Sequence, residues 1–416
     1  MRVLILLLLI LVLINPFLKA FKDSTKFYQL PVLFSLTTIA FILPSLIIHV
    51  NLSTYISDQE YFLFVLNIIL CLSASYLGYN KKYKFNVSQN IYSLNKILIA
   101  ISPFVFIGFY ISFFLLDATQ FGTINEGATA IFIYFSRLLR PSAIIVFFIL
   151  LIKQKKYALF LFILYLIVAF ELIVISGRRS EIFTLGITLL LPLFFVKNYI
   201  PSKKISIVLL LIGTSAFLIL PAVREFTRKG DFNKIKNISF NNVIQSYYLG
   251  DKSNEILEAA INMNIVYENN GYSYGARFIN KFTNQFVSGT LFGKDFKQSM
   301  QIEVFDLESY RNNAYKNSDF KNYLSNTGFV DTFYDFGFFS CIIFYFFATI
   351  SKKLWVKAHH SSDIMHKMFY SYFVTMIFMS VYDSISFIPT NILLALFVFY
   401  VIKNRTVVKI KKVALN

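Results

Sequence analysis

The stretch YALFLFILYLIVAFELIVISGRRSEIFTLGITLLLPLFFV, residues 157–196, decides the fold class of this chain. It contains two apolar runs, 157–175 and 181–196, which are separated by a short turn with two adjacent arginines. A transmembrane α-helix needs roughly 20 predominantly apolar residues to cross a hydrocarbon core about 30 Å thick. The pattern therefore predicts two membrane-spanning helices joined by a tight, charged turn.

Apolar runs of this kind recur along the whole chain. Hydrophobic residues make up 56% of the 416 residues, and 49 of them are Phe, which is far from the composition of a soluble domain. We predict an all-α, polytopic membrane protein with about eleven transmembrane helices. The predicted spans are 3–18, 30–50, 61–79, 97–116, 131–152, 157–175, 181–196, 205–222, 329–350, 368–386 and 388–402.

Lysine-rich connections occupy every second position between these spans, and three of the short connections between them contain neither Lys nor Arg. The connection after the third span contains Lys81 and Lys82, whereas 51–60, 117–130 and 386–389 contain no basic residue. Basic connections face the cytoplasm, so the N-terminus is predicted outside and the C-terminus inside. The excess of 40 Lys and Arg over 22 Asp and Glu is therefore a topology signal, and no nucleic-acid partner is expected.

One long polar connection, 223–328, interrupts the series between the eighth and ninth predicted spans. It is rich in Asn and Tyr, and the alternation places it outside. Loops of this length inside a compact protein are usually functional. The predicted organisation is eight helices in 1–222, this loop as a lid or small subdomain in 223–328, three helices in 329–402, and a basic cytoplasmic tail in 403–416.

Arginines at the predicted outer ends of spans are candidate anion-binding residues, because charge at membrane depth is costly and usually functional. Guanidinium groups bind phosphate oxygens bidentately, so a phosphate or pyrophosphate is the expected ligand. The alternative is that they only contact lipid headgroups. In the turn 176–181, Ser180 is predicted to cap the next helix, with Glu181 in its first turn. The candidates are Arg137 and Arg140, Arg178 and Arg179, and Arg224 and Arg228.

Carboxylates near the same predicted surface are candidate general bases. Asp331 and Asp335 are four residues apart on one face of the ninth predicted helix, and Glu225 is a third candidate. A carboxylate beside arginines can accept the proton of a hydroxyl group. Alternatively, the aspartates only stabilise a helix N-terminus. Since no Cys/His metal pattern is found and the large loop contains no His, we predict metal-independent chemistry without a cofactor.

Two segments, ISGRRSEIFTLGI at 175–187 and SNTGFVDTFYDFGFFSCIIFYF at 325–346, resemble the Wzy-type O-antigen or oligosaccharide repeat-unit polymerases of bacterial envelopes. The resemblance covers nearly the whole chain, including the number of spans and the late outer loop. It implies a GT-C type glycosyltransferase of the inner membrane that works at the periplasmic face. Such an enzyme moves the growing glycan from undecaprenyl pyrophosphate onto the non-reducing end of a new lipid-linked repeat unit.

The resemblance also implies functional arginines in the outer loops, matched here by Arg178, Arg179, Arg224 and Arg228. The Arg-x10-Gly motifs of some polymerases are absent. The expected partners are the lipid-linked oligosaccharide, membrane lipids and, by family analogy, a polysaccharide chain-length regulator. Two alternatives stay open: a flippase or transporter of lipid-linked oligosaccharide, and an O-antigen ligase. Ligases typically use a histidine in the large outer loop, and transporters often contain internal repeats; neither is found here.

Overall fold

The computed structural model describes residues 1–50, 56–83, 88–116, 128–174, 178–202, 255–287, 293–314, 327–361, 363–381 and 388–412. Helices account for most of this part of the chain. They are α1 (Arg2–Lys22), α2 (Leu30–Phe41), α3 (Leu43–His49), α4 (Asp58–Tyr79), α5 (Leu94–Tyr110), α6 (Ala128–Ser136), α7 (Leu139–Lys153), α8 (Lys156–Val174), α9 (Arg179–Lys197), α10 (Glu255–Glu268), α11 (Ala276–Phe286), α12 (Lys294–Ser299), α13 (Leu307–Ala314), α14 (Gly328–Phe336), α15 (Cys341–His360), α16 (Ile364–Met379) and α17 (Ile388–Thr406). A π-helical segment, Ile111–Leu115, extends α5, and 3₁₀ segments lie at Ser24–Tyr28 and Gly337–Ser340.

Seven helical segments of the described residues are long and apolar enough to cross a membrane, judged by length and composition. They are Arg2–Lys22, Asp58–Tyr79, Leu94–Leu115, Phe132–Lys153, Lys156–Val174, Ser180–Lys197 and Gly328–His360. The pair α2 and α3 makes an eighth if it is one span bent by 43°. The prediction of a helical, polytopic membrane protein is confirmed. The predicted eighth span, 205–222, lies outside the described residues, so the number eleven stays a prediction.

Proline and glycine explain the two main helix breaks. Pro44 stands in the first turn of α3, where its missing N–H costs nothing, but its ring prevents α2 from continuing without a bend. Gly337 separates α14 from α15 and has a φ of 57°. A side chain at this position would be strained, and its Cβ would lie 3.2 Å from the Tyr272 ring. Each break therefore follows from a residue that the helix cannot accommodate.

A buried polar group on α4 stabilises the break at Gly337. The Asn67 side chain donates to the Phe329 carbonyl at 2.9 Å and accepts from the Ser340 hydroxyl at 3.0 Å. Both Asn67 and Ser340 are fully buried. Buried polar groups need such partners. Asn67 of α4 thus joins the start of α14 to the 3₁₀ segment that follows Gly337.

Contacts among the described residues link connections that are predicted to share a side of the membrane. At one end, Arg2 is 2.6 Å from the Asp58 carboxylate, and Gln59 donates to Asn264 of the large loop at 3.1 Å. At the other end, the Tyr28 hydroxyl donates to the Tyr199 carbonyl at 2.7 Å. We call these the loop end, which carries the large loop, and the lysine end, which carries the basic connections. Which end faces the cytoplasm stays a prediction from charge.

The large loop, in its described parts, contributes four helices, α10 to α13. Helix α10 packs against α4, α13 and α14, and its apolar side chains belong to one contiguous core with the bundle. A helix that is buried almost all round is part of a folded core. The described residues of the loop therefore form a helical subdomain that is docked on the loop end.

Two short strands were not anticipated by the all-α prediction. Strand β1 (Ser88–Tyr92) pairs antiparallel with β2 (Val407–Lys412), with Ser88 opposite Lys412 and Tyr92 opposite Val407. The sequence VVKIKK of β2 alternates apolar and basic residues after its first position, a period typical of a strand. The predicted tail, 403–416, therefore begins as the end of α17 and continues as a strand beside the connection after α4.

Candidate functional site

Arg140 lies at the start of α7 and forms an ion pair with Glu181 in the first turn of α9. Its second terminal nitrogen donates to the Met379 sulfur of α16 at 3.3 Å. The Arg140 side chain is 27% exposed and that of Glu181 only 3%. A buried carboxylate without this guanidinium would be strongly destabilising. Arg140 therefore joins three helices, and Glu181 already balances part of the positive charge that was predicted to bind pyrophosphate.

Arg137 lies in the turn that separates α6 from α7. Its backbone N–H donates to the Tyr134 carbonyl at 3.3 Å, and its side chain is half-buried at the loop end. Arg137 precedes Arg140 by three residues, and only the short turn between α6 and α7 separates them. The two arginines thus occupy the same corner of the bundle.

Arg178 is the N-cap residue of α9 and places a helix N-terminus at the loop end. Its backbone N–H donates to the Leu172 carbonyl at 3.1 Å, and its own carbonyl accepts from the Glu181 N–H at 3.2 Å. The prediction that Ser180 caps this helix was wrong, because α9 begins at Arg179 and Ser180 lies inside its first turn. The prediction of Glu181 in the first turn is confirmed. A helix N-terminus favours a bound anion. The position of Arg178 at the N-terminus of α9 therefore suits anion binding.

Four of the predicted candidates have no described side chain. Arg224, Glu225 and Arg228 lie outside the described residues, and for Arg179 only the backbone is described, as the first residue of α9. Their roles stay predictions. The arginine corner of the described structure therefore consists of Arg137, Arg140 and Arg178.

Asp335, in the last turn of α14, is fully buried and holds the large loop. Its Oδ1 accepts from the backbone N–H of Gly275 at 3.2 Å and of Arg277 at 3.4 Å. These groups belong to the N-terminus of α11, whose own N-cap residue, Gly275, has no side chain to cap it. The carboxylate therefore caps α11 from another helix. The N–H of Tyr274 adds a bond to the Asp335 carbonyl at 2.9 Å.

The other carboxylate oxygen of Asp335, Oδ2, is buried and has no hydrogen-bond partner among the described residues. The Arg277 guanidinium lies over the Tyr334 ring, 4.5 Å from its centroid. The Arg277 side chain thus packs against Tyr334 of α14, whereas its backbone N–H donates to the Asp335 carboxylate. A buried carboxylate with one open oxygen can either accept a proton or hold a ligand group.

Asp331 lies one turn before Asp335 and is 5% exposed. It is in the first turn of α14, and its N–H donates to the carbonyl of Thr327, the N-cap residue, at 2.9 Å. This position supports the simpler interpretation, in which the helix dipole stabilises the carboxylate. It is also compatible with proton transfer, because a carboxylate can accept the proton of a hydroxyl group.

Sequence reasoning missed a buried polar pair on α10. Glu258 is 2% exposed and Asn262 is fully buried, four residues apart on one helix face. Both side-chain atoms of Asn262 lack a hydrogen-bond partner in the described part of the chain. The available signal was the placement of these polar residues in the largely apolar segment ILEAAINMNIV. Burial of polar groups costs free energy, so Glu258 and Asn262 are exceptional among the apolar side chains of α10.

An apolar cavity of about 600 Å³, open to the surface, lies beside the arginine corner. It is formed by α5 with its π segment, by α6 and the turn after it, and by α17. Segments of π-helix often occur at functional sites. Arg137 directly precedes one of the lining residues. The lining residues are Phe104, Ile107, Ile111, Phe132, Tyr134, Phe135, Leu138, Leu394 and Phe397.

The lysine end is packed with aromatic side chains instead. Tyr28 stacks on Phe194 with ring centroids 4.3 Å apart, and Trp355 lies 5.7 Å from Phe194 and 5.2 Å from Tyr370. The Tyr370 hydroxyl donates to the Tyr28 carbonyl at 2.9 Å. Burial raises the pKa of Tyr28 above its ordinary value, so this phenol stays neutral. This end of the described bundle is a packed aromatic cluster.

The described contacts thus form two groups at the loop end, the arginine corner with Glu181 and the aspartates with Gly275 and Arg277. They do not join the first group to the second. Within the described ranges, no cluster of three or more His, Cys, Asp or Glu could hold a metal ion. No protein-family model matches the chain, and comparisons with curated proteins and with solved structures find no match either.

Proposed function

We propose that this chain polymerises lipid-linked oligosaccharide repeat units for an O-antigen or capsular polysaccharide, at the periplasmic face of a bacterial inner membrane. The observation that carries the proposal is the arginine corner at the loop end, where Arg140 pairs with the buried Glu181 beside Arg137 and the N-cap residue Arg178. The buried Asp331 and Asp335 and the helices of the large loop lie at the same end.

The substrate class follows from the neighbours of the arginine corner. A pyrophosphate that carries a long hydrocarbon chain needs cationic groups for its head and an apolar surface for its tail. Arg178 and Arg179, with Arg137 and Arg140 and with Arg224 and Arg228, would bind the pyrophosphate. The cavity lined by Phe104, Tyr134 and Leu138 supplies an apolar surface beside Arg137.

In the proposed reaction, a hydroxyl oxygen of the acceptor unit forms a bond to the anomeric carbon of the growing glycan. The bond from that carbon to the pyrophosphate oxygen breaks, and its electron pair leaves with the lipid pyrophosphate. The arginines stabilise the charge that develops on this leaving group. The hydroxyl proton passes to a carboxylate.

Among the candidate bases, Asp331 is the stronger choice for this proton. One oxygen of Asp335 already accepts two backbone N–H bonds, and its carboxylate is fully buried. Asp331 retains some exposure, at 5%. We therefore assign Asp331 as the base and Asp335 as the residue that positions the loop, with Glu225 as the third candidate.

Complementation of a strain that lacks its own polymerase tests the proposal. We expect that the Asp331→Asn variant and the Arg178→Ala, Arg179→Ala double variant attach only single repeat units, whereas wild type produces a ladder of long glycans. Asp295→Asn is the matched control, because Asp295 lies on α12 of the same loop and is exposed. Wild-type ladders from both site variants at normal protein levels would exclude these roles.

A further inference from the structure

Helix α11 is amphipathic, with apolar and polar residues on opposite sides. Phe278, Ile279 and Phe282 share one side at i, i+1 and i+4 spacing. Arg277, Asn280, Lys281 and Asn284 occupy the other side. On a soluble domain, the apolar side would pack inward and the polar side would face water.

The polar side of α11 bonds to a neighbouring segment and stays exposed. The Asn280 side chain donates to the Ile302 carbonyl at 2.7 Å and accepts from the Ile302 N–H at 2.8 Å. The Asn284 side chain accepts from Gln301 at 2.8 Å. The segment after α12 therefore lies along the polar side, where these hydrogen bonds remain exposed.

The apolar side of α11 is also largely uncovered. Ile279 is 50% exposed and Phe282 is 44% exposed, whereas Phe278 packs 6.3 Å from the ring of Phe336. Exposing such side chains to water is unfavourable in proportion to their apolar surface. A helix that leaves Ile279 and Phe282 uncovered is adapted to an apolar medium.

The position of α11 identifies this medium. The helix contacts α6 and α17, two helices that coincide with predicted spans, near the loop end. Its N-terminus is fixed by the Asp335 carboxylate, so it cannot turn freely about its axis. A fixed helix beside the ends of membrane spans lies at the level of the lipid headgroups.

From these observations we infer that α11 is an interfacial membrane helix, with Ile279 and Phe282 inserted among the lipid chains at the loop end. Amphipathic helices of this type lie in the plane of the interface, with the apolar face buried about 5–10 Å deep. Arg277 and Lys281, on the other side, are at the height of anionic phosphate groups. The large loop is thus attached to the bilayer as well as to the bundle. This inference does not depend on the proposed reaction.

Quenching of tryptophan fluorescence by brominated lipids tests the inference on the full-length protein. The chain has a single tryptophan, Trp355, which is 4% exposed at the lysine end and supplies a constant background. Wild type, Ile279→Trp and Asn284→Trp are reconstituted in phosphatidylcholine vesicles, with or without bromine on the upper acyl chain. Asn284 is the matched control on the polar face of the same helix.

We expect the added fluorescence of Ile279→Trp to be quenched several-fold more strongly than that of Asn284→Trp. Equal quenching of the two, or stronger quenching of Asn284→Trp, would overturn the inference. A blue-shifted Ile279→Trp emission that brominated lipid does not quench would also overturn it, because a protein partner would then cover the face. If Ile279→Trp does not fold, Phe282→Trp replaces one aromatic ring by another and gives the same comparison.

Discussion

At the scale of single residues, Asp335 shows why type and spacing alone do not define a role. Its position on one helix face with Asp331 was evident from the sequence, and that position suggested a general base. The sequence contained no sign that the N-terminus of α11, some sixty residues earlier, would need this carboxylate as its cap. The same holds for Arg140 and Glu181, which are 41 residues apart in the chain. Long-range pairing of charges depends on packing, and packing is not readable from spacing.

The cap formed by Asp335 leads to a prediction that separates its positioning role from catalysis. Asp335→Asn retains an acceptor oxygen, so α11 should stay docked. Asp335→Ala leaves two backbone N–H groups without their acceptor, which costs about 1–3 kcal/mol. Hydrogen exchange at Gly275 and Arg277 should therefore accelerate in Asp335→Ala and change little in Asp335→Asn. Equal exchange in both variants would contradict the cap.

At the scale of helices, most membrane helices were predicted from the length of their apolar runs. The breaks inside two of the predicted spans are explained by Pro44 and Gly337 in the structure. The β1–β2 pair was missed, because six residues at the end of a basic tail carry a weak signal until a partner strand is known. The exposed apolar face of α11 was also missed. Its amphipathic pattern is visible in the sequence, but whether the protein covers that face depends on how the helices of the loop dock.

The close packing of α4 against α15 provides a prediction at this scale. A Cβ added at Gly78 on α4 would clash with the Tyr345 carbonyl of α15 and lie 3.0 Å from the Thr349 hydroxyl. Since small residues let membrane helices approach, Gly78→Ala should separate α4 from α15 and lower the unfolding temperature in detergent. Gly186→Ala on α9 is the control, because no atom lies within 4 Å of its added Cβ. It should leave stability unchanged or raise it slightly. An equal effect of both substitutions would argue against tight α4–α15 packing.

At the scale of the whole molecule, the charge pattern agrees with the described contacts, since Arg2 lies beside Asp58 and Tyr28 beside Tyr199. The sequence could predict this because each span returns the chain to the opposite side. It could not predict how the arginine corner and the aspartates are placed relative to each other. They reside on different helices, and three of the candidate residues lie outside the described part of the chain.

Orientation follows from the same charge pattern and is open to a direct test. Lys294 on α12 and Lys156 at the start of α8 are both exposed, at the loop end and the lysine end respectively. In cells with a permeabilised outer membrane, a membrane-impermeant maleimide should label Lys294→Cys and not Lys156→Cys. The native thiol Cys71 is buried and Cys341 is half-buried, so the unsubstituted protein gives the background. Labelling of Lys156→Cys and not of Lys294→Cys would show that the predicted topology is wrong.

Polymer formation by the purified protein is the most direct measurement of the central claim. The protein would be reconstituted in vesicles and supplied with undecaprenyl-pyrophosphate-linked repeat units. We predict glycans of many repeat units and released undecaprenyl pyrophosphate, both lost in Asp331→Asn and retained in Asp295→Asn. Movement of intact repeat units across the bilayer without any polymer would contradict the account and identify a transporter instead.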